Sequence, residues 1–224
     1  MPIAIFPQKR QSGFTLIEML VSMAVSGILL AALASVLSLH ATTMSVEDAH
    51  RAAQTTARGT LEFIVRQLSH IGRVNVIVDP LAVPFTAADP AILNATADSI
   101  RYRTNLSADS ADYDTLDAGE DVGFSYSASY AAIWFNDYNV AGNTSALTSI
   151  GDRRKSYIPA GGLVFTYFDA DGNAVVANTI PARASIRRIT VTLTVRGIDP
   201  QLPQGHADEP KVVLSQNIFL RNVS

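Results

Sequence analysis

The sequence predicts an α+β fold in which one long N-terminal helix packs on a C-terminal antiparallel β-sheet domain. Three features support this prediction. Residues 14–39 form a predominantly apolar run, apolar residues then recur at steps of three or four as far as Ile71, and from Ser99 onward apolar and polar residues alternate. The helical period therefore belongs to the N-terminal part of the chain and the strand period to the rest.

The first element is long enough to cross a membrane. As a helix, residues 14–39 would span about 39 Å at about 1.5 Å per residue, and the hydrocarbon core of a bilayer is about 30 Å thick. After Glu18 no charged residue occurs before Glu47, and the short flank ahead of the run contains Lys9 and Arg10. Basic residues in that position keep the N-terminus in the cytoplasm, so the rest of the chain is expected outside the inner membrane.

Glu18 requires a partner, because a charge deep in a bilayer costs on the order of 3 kcal/mol. Cleavage between Gly13 and Phe14 would create an α-amine one helical turn away, and the ammonium of one subunit would then pair with the carboxylate of its neighbour. A conventional secretory signal is the alternative, with Ala32-Leu33-Ala34 as an A-x-A cleavage site. Such signals have shorter apolar cores without a carboxylate, which favours the first interpretation.

The helix is expected to continue beyond the apolar run as an amphipathic helix that ends at Gly72. One face carries polar and charged side chains, and the other is an apolar stripe made by Ala49, Ala53, Ala57, Leu61, Ile64, Leu68 and Ile71. The predicted organisation is a leader at 1–13, a transmembrane helix at 14–39, its amphipathic continuation at 40–72 and a β-rich head domain at 73–224.

Alternating segments predict the strands of the head domain, with one sheet face on the helix stripe. The candidates are 99–104, 122–126, 132–135, 163–168, 174–176, 189–196 and 212–220, and Asp169–Asn173 reverses the chain between two of them. Long polar connections are predicted at 79–98, 108–121, 136–162 and 197–210. Loops of this length are ordinarily functional or mobile.

Composition and motifs argue against an enzyme and against several classes of partner. The net charge is −3, and without Lys9 and Arg10 the chain has 15 basic against 20 acidic residues, or −5, which argues against nucleic acid. Cysteine is absent, so disulfides and thiol chemistry are excluded. No GxSxG elbow, Gly-rich phosphate loop or metal-ligand spacing of histidines occurs. We expect no cofactor and no catalytic residue.

Calcium is the one metal for which the sequence offers weak candidates. They are Asp112, Asp114 and Asp117 in one acidic loop, and Asp169 and Asp171 in DADGN. An EF-hand needs Gly at its sixth position and Glu at its twelfth, where DADGN is followed by Ala174 and Ile180. A tight turn explains DADGN better, and acidic loop residues are mostly solvated.

The residues around the expected cleavage point carry a family resemblance. Lys9–Gly13 followed by Phe14–Glu18 resembles the type III signal of type IV pilins and of type II secretion pseudopilins. The resemblance implies a pilin-like fold, cleavage after Gly13 by an inner-membrane prepilin peptidase, N-methylation of Phe14, and packing of the mature helix into a filament core. Glu18 would act in assembly, and Lys9 and Arg10 would supply the leader charge.

The C-terminal half carries a second, less specific resemblance. GLVFTYFDADGNAV, IRRITVTLTVRG and the terminal LSQNIFLRN resemble PilW-type minor pilins, and J-type pseudopilins of type II secretion share the same layout. The favoured function is a minor pilin, a low-abundance subunit that helps to initiate a type IV pilus and joins it. The alternatives are a minor pseudopilin and a membrane-anchored or secreted binding module unrelated to filaments.

The resemblance also implies partners and a location. The expected partners are other minor pilins, the major pilin, the prepilin peptidase and the inner-membrane assembly platform. The chain would cross the bacterial inner membrane once, with its head domain in the periplasm, and would then pass into a filament at the cell surface.

Overall fold

The computed structural model describes residues 14–72, 90–104, 120–138, 144–146 and 155–220, and at 144–146 only the backbone. It has the α+β architecture predicted from the sequence, a long N-terminal helix followed by an antiparallel β domain. The helices are α1 (Leu16–Leu68) and α2 (Ile180–Ala184), and the strands are β1 (Ile92–Ala95), β2 (Ser99–Arg103), β3 (Asp121–Ser127), β4 (Ala132–Asp137), β5 (Thr144–Ala146), β6 (Ser156–Tyr157), β7 (Leu163–Phe168), β8 (Arg188–Gly197) and β9 (Lys211–Phe219). The chain divides into two compact units, Met1–Met44 and Ser45–Ser224.

Helix α1 is one continuous helix of 53 residues with two different surfaces. Within the first unit its described apolar side chains are all exposed. Within the second unit the predicted apolar stripe is confirmed, since all seven of its residues are buried. Thr56 and Thr60, which the apolar pattern did not include, are buried beside them. Gly72 ends the helical region as predicted, with a φ of 67° that suits glycine.

The strands form two antiparallel sheets where the sequence predicted one. The first is a five-stranded meander in the order β1-β2-β3-β4-β5. In the second, β8 is central, with β9 along one side and β7 and β6 along the other. Burial alternates along β8, whose inward residues Ile189, Val191, Leu193 and Val195 are fully buried. This alternation is the pattern expected of a sheet with one face on the core.

The predicted strand at 174–176 is wrong. Ala174 forms an isolated bridge with Phe168, and Val176 is 77% exposed. The chain turns away after this bridge because α2 begins six residues later, at Ile180, with Thr179 as its N-cap and Pro181 in its first turn. Elements α2, β1, β5 and β6 lie in segments for which no regular structure was predicted.

The second unit is built around one apolar core to which α1 and both sheets contribute. Phe63 of α1 meets Phe124 of β3 and Phe135 of β4 edge-on, with ring centroids 6.1 and 5.6 Å apart. Edge-to-face aromatic pairs add about 0.5–1.5 kcal/mol to the stabilisation from burial alone. Tyr102, Phe124 and Ile64 are among the largest side chains that are completely buried.

Two close contacts fix α1 against the second sheet. A Cβ on Gly197, at the end of β8, would lie 2.3 Å from the Ala49 carbonyl oxygen, so only glycine allows this approach. About two helical turns further on, the Thr56 hydroxyl is hydrogen-bonded to the Ser156 hydroxyl at 2.8 Å in a buried position. The small Ala49 and Gly197 therefore define where the helix passes β8.

Candidate processing and assembly site

Thr15 and Glu18 close the first turn of α1. Each side chain is hydrogen-bonded to the backbone amide of the other residue, and the two side chains are also hydrogen-bonded to each other. The Thr15 carbonyl accepts from the Met19 amide at 3.2 Å, the first hydrogen bond of the helix. The Thr15 hydroxyl accepts from the Glu18 amide at 3.3 Å, and Glu18 Oε2 accepts from the Thr15 amide at 3.1 Å. This reciprocal arrangement is a capping box, with Thr15 as N-cap and Glu18 as the third helical residue.

The carboxylate of Glu18 is oriented through one of its oxygens. The Thr15 hydroxyl also donates to Oε2, at 3.1 Å, so both donors on the carboxylate reach the same atom. Within the part of the chain that the structure describes, Oε1 accepts no hydrogen bond. A carboxylate can accept about four hydrogen bonds. The arrangement fixes the direction of the group and leaves one oxygen for a further donor.

Glu18 lies at the start of an unpartnered apolar surface. The side chains of residues 14–39 are all exposed, with Phe14 at 83%, Leu16 at 80% and Ile28 at 70%. Ser22 and Ser35 donate to the carbonyls of Met19 and Ala32, so these hydroxyls are satisfied inside the helix. Among the described residues, α1 is the helix long and apolar enough to cross a membrane. Its composition is compatible with membrane anchoring.

The structure describes some of the predicted site residues and not others. Lys9, Arg10 and Gly13 lie outside the described residues. Phe14 directly precedes Thr15, one turn from Glu18, as expected from the spacing. Thr15 itself was missed, although the pattern Thr15-Leu16-Ile17-Glu18 ahead of an apolar run is the sequence signature of a capping box. The sequence therefore contained a first partner for Glu18 within the same chain.

The calcium candidates do not form a described metal site. Asp112, Asp114 and Asp117 lie outside the described residues. Asp169 accepts hydrogen bonds from the Asp171 amide and from the Asn173 amide and side chain, at 2.8–3.1 Å. The Asn173 side chain is the first of the bonds that lower the pKa of Asp169. Asp169 thus closes the predicted turn, and in the described ranges no group of three or more His, Asp or Glu could hold a metal.

Comparison with known families bears on the same segment. The model of the prokaryotic N-terminal methylation motif matches residues 8–34. The chain carries this motif. The methylation motif is a signal of type IV pilins and pseudopilins, and it implies processing by a prepilin peptidase and assembly with other pilins. It spans the expected cleavage point, the capping box and most of the apolar surface, as far as residue 34.

Two further comparisons, with curated proteins and with solved structures, found no match. The head domain must therefore be interpreted from its own residues.

Proposed function

We propose that this protein is a minor pilin, a low-abundance subunit that helps to initiate a type IV pilus and joins it. The observation that carries the proposal is Glu18, held in a capping box at the fifth position after the expected cleavage point inside the methylation motif. Removal of the leader would convert the nitrogen of Phe14 into an ammonium, and Oε1 of Glu18 in an adjoining subunit would receive it.

The apolar surface supports the same role. Before assembly lipid would solvate residues 14–39, and in a filament the same side chains would pack against other subunits. Exchange of lipid for helix contacts of similar polarity leaves the hydrophobic term nearly unchanged. The pairing of a charge that has its partner only in the filament can then determine whether a subunit is incorporated into the filament. For this reason we assign Glu18 to assembly and propose no catalytic role for the chain.

Substitution of Glu18 tests the proposal. Glu18→Ala would leave the ammonium of a neighbour unpaired in an apolar surrounding, at about 3 kcal/mol, which corresponds to roughly a hundredfold loss of incorporation. Cleavage after Gly13 should persist. The measurement is the amount of the variant in sheared filaments and in membranes, with its N-terminus determined by mass spectrometry. Normal incorporation of Glu18→Ala would contradict the proposal.

Thr15 allows a finer test with matched variants. Thr15→Ser keeps the hydroxyl that donates to Glu18 Oε2 and should assemble normally. Thr15→Val keeps the shape but loses the donor, and it should assemble less well. Loss of the cap weakens the helix end by about 1 kcal/mol. Glu47→Ala is the control for the loss of a carboxylate, because Glu47 lies in an exposed pair with Arg51 at 3.5 Å and outside the methylation motif.

A minor pseudopilin is the second candidate, because the methylation motif is common to both classes. Crosslinking in membranes separates them: neighbours from a pilus support the minor pilin, and neighbours from a type II secretion system support the pseudopilin. A binding module unrelated to filaments would instead begin at Ser35 after cleavage by signal peptidase, which the same mass spectrum detects.

The proposed orientation places the head domain in the periplasm. The chain contains no cysteine, so a single introduced thiol is a unique reporter. Ala170→Cys, in the exposed turn of the head domain, should react with a membrane-impermeant maleimide in spheroplasts without lysis. Labelling only after lysis would refute the orientation.

A further inference from the structure

Helix α1 and the head domain together line a pocket that has an aromatic rim, and the described residues of its walls are uncharged. Its volume is about 210 Å³, and the hairpin between β3 and β4 forms its rim through Tyr130 and Ala131. Polar groups come from Thr56 of α1, from Ser156 and Tyr157 of β6, and from Gln204 of the loop between β8 and β9, and Ile158 and Ile198 complete the lining. Drug-sized ligands occupy pockets of about 300–1,000 Å³, so this volume suits a smaller molecule.

The rim is held in an unusual conformation. Ala131 has a φ of 46°, the one positive value among the non-glycine residues of the described chain. A left-handed conformation without glycine is strained, and such residues concentrate at binding and catalytic sites. The adjoining Tyr130 is 69% exposed, and its ring meets that of Trp134 edge-on with centroids 5.4 Å apart. The turn therefore presents an open tyrosine face that a neighbouring ring keeps in place.

Hydrogen bonds to the Glu209 carboxylate hold the walls of the pocket in place. The Tyr157 hydroxyl donates to Glu209 Oε2 at 2.6 Å, and the same oxygen accepts from the Gly205 amide at 3.0 Å. Glu209 is buried, so these bonds hold the loop that carries Gln204 against β6. A pocket whose walls are already ordered loses little conformational entropy when a ligand binds.

The lining selects the class of ligand. An exposed tyrosine ring packs against the apolar face of a ring compound, and an amide and hydroxyls serve both donors and acceptors. Among the described residues that line the pocket, none has a charged side chain. We propose that this pocket binds one neutral sugar residue of a glycan, with the ring on Tyr130 and its hydroxyls toward Gln204. The proposal is independent of the role of Glu18.

The sole tryptophan of the chain provides the assay, because Trp134 lies against Tyr130. The full chain is purified in a detergent without a sugar headgroup and titrated with glucose, galactose, mannose, N-acetylglucosamine and N-acetylgalactosamine. Concentrations reach about 50 mM, since one ring in an open pocket is expected to bind with a dissociation constant on the order of 1 mM. We expect a saturable change of tryptophan emission with at least one sugar, and saturation-transfer NMR from protein to that sugar.

Variants locate the binding. Tyr130→Ala and Gln204→Ala should each weaken binding about tenfold or more, as measured by saturation-transfer NMR, whereas Tyr130→Phe keeps the ring and should bind normally. Phe219→Ala is the matched control, because Phe219 is an equally exposed aromatic residue, at 66%, on the other sheet. The proposal is overturned if none of the five neutral sugars binds, or if Tyr130→Ala and Gln204→Ala bind as the wild type does.

Discussion

The contact between Gly197 and α1 leads to a prediction about stability. In Gly197→Ala the new Cβ would lie 2.3 Å from the Ala49 carbonyl oxygen, 2.6 Å from its carbonyl carbon and 3.1 Å from its Cβ. Ordinary contacts begin near about 3.4 Å, so the helix and β8 must separate by roughly 1 Å. Overpacking costs about 1–3 kcal/mol, and we expect the upper end because both partners are backbone.

The assay is thermal unfolding of the full chain in detergent. A destabilisation of about 3 kcal/mol lowers the melting temperature by roughly 6–12 °C in a protein of this size. Gly27→Ala is the control, because a Cβ at Gly27 meets nothing within 4 Å and should leave the head domain unaffected. Ala49→Gly should fail to rescue Gly197→Ala, because the clash is with the backbone. An unchanged melting temperature, or full rescue by Ala49→Gly, would refute the reasoning.

Three further substitutions probe buried polar groups. Tyr102→Phe removes a buried hydroxyl that has no hydrogen-bond partner among the described residues, so urea denaturation should give a free energy of unfolding that is unchanged or about 1 kcal/mol higher. Arg101→Ala removes the two bonds of 2.7 and 2.8 Å to the buried Asp121 carboxylate and should lower the free energy of unfolding by about 2 kcal/mol. Burial, then the bond to Glu209, raises the pKa of Tyr157 from 10.0 to about 12. The folded state therefore favours the neutral phenol, a stabilisation that is complete below pH 10 and lost as the pH rises to 12, and Tyr157→Phe should reduce this alkaline loss in a pH series of urea denaturation.

Controls and contrary outcomes differ among the three. For Arg101→Ala the matched control is Arg51→Ala, which breaks an exposed pair and should change stability by less than about 0.5 kcal/mol. Equal effects of these two variants would contradict the role assigned to burial. A loss of more than about 1 kcal/mol in Tyr102→Phe would show that its hydroxyl has a stabilising partner. For Tyr157→Phe, an alkaline loss as steep as that of the wild type would place the responsible titration elsewhere.

The elements that were predicted correctly are those in which buried positions recur regularly, over several turns of a helix or along several residues of a strand. The stripe from Ala49 to Ile71 and the alternation along β8 both produce a signal that repeats, and both are seen in the structure. By contrast, β5 and β6 have three and two residues, too few for any period, and tertiary pairing alone makes them strands. The strand predicted at 174–176 had a suitable pattern, but its pairing with β7 stops after the bridge between Ala174 and Phe168 and the bond from the Val175 amide to the Tyr167 carbonyl.

The candidate site was predicted in outline and missed in one detail. Its charge and spacing are local properties of the sequence, so Phe14 and Glu18 could be singled out without a structure. Thr15 was missed, because the cost of a charge in the bilayer predicted a partner for Glu18 in another subunit and the local capping pattern was not included. The sugar pocket could not be predicted, since Thr56, Tyr130 and Gln204 come from segments far apart in sequence and meet only through the tertiary fold.

The capping box also has a consequence for quality control. Before cleavage the nitrogen of Phe14 is an uncharged peptide amide, and only proteolysis gives it a positive charge. In the proposed assembly, a subunit that retained its leader would therefore offer no positive charge to the open oxygen of Glu18 in the protomer next to it. Thr15 holds the carboxylate through Oε2, so the direction of Oε1 is fixed. The pairing of this one oxygen would then distinguish cleaved from uncleaved subunits during polymerisation.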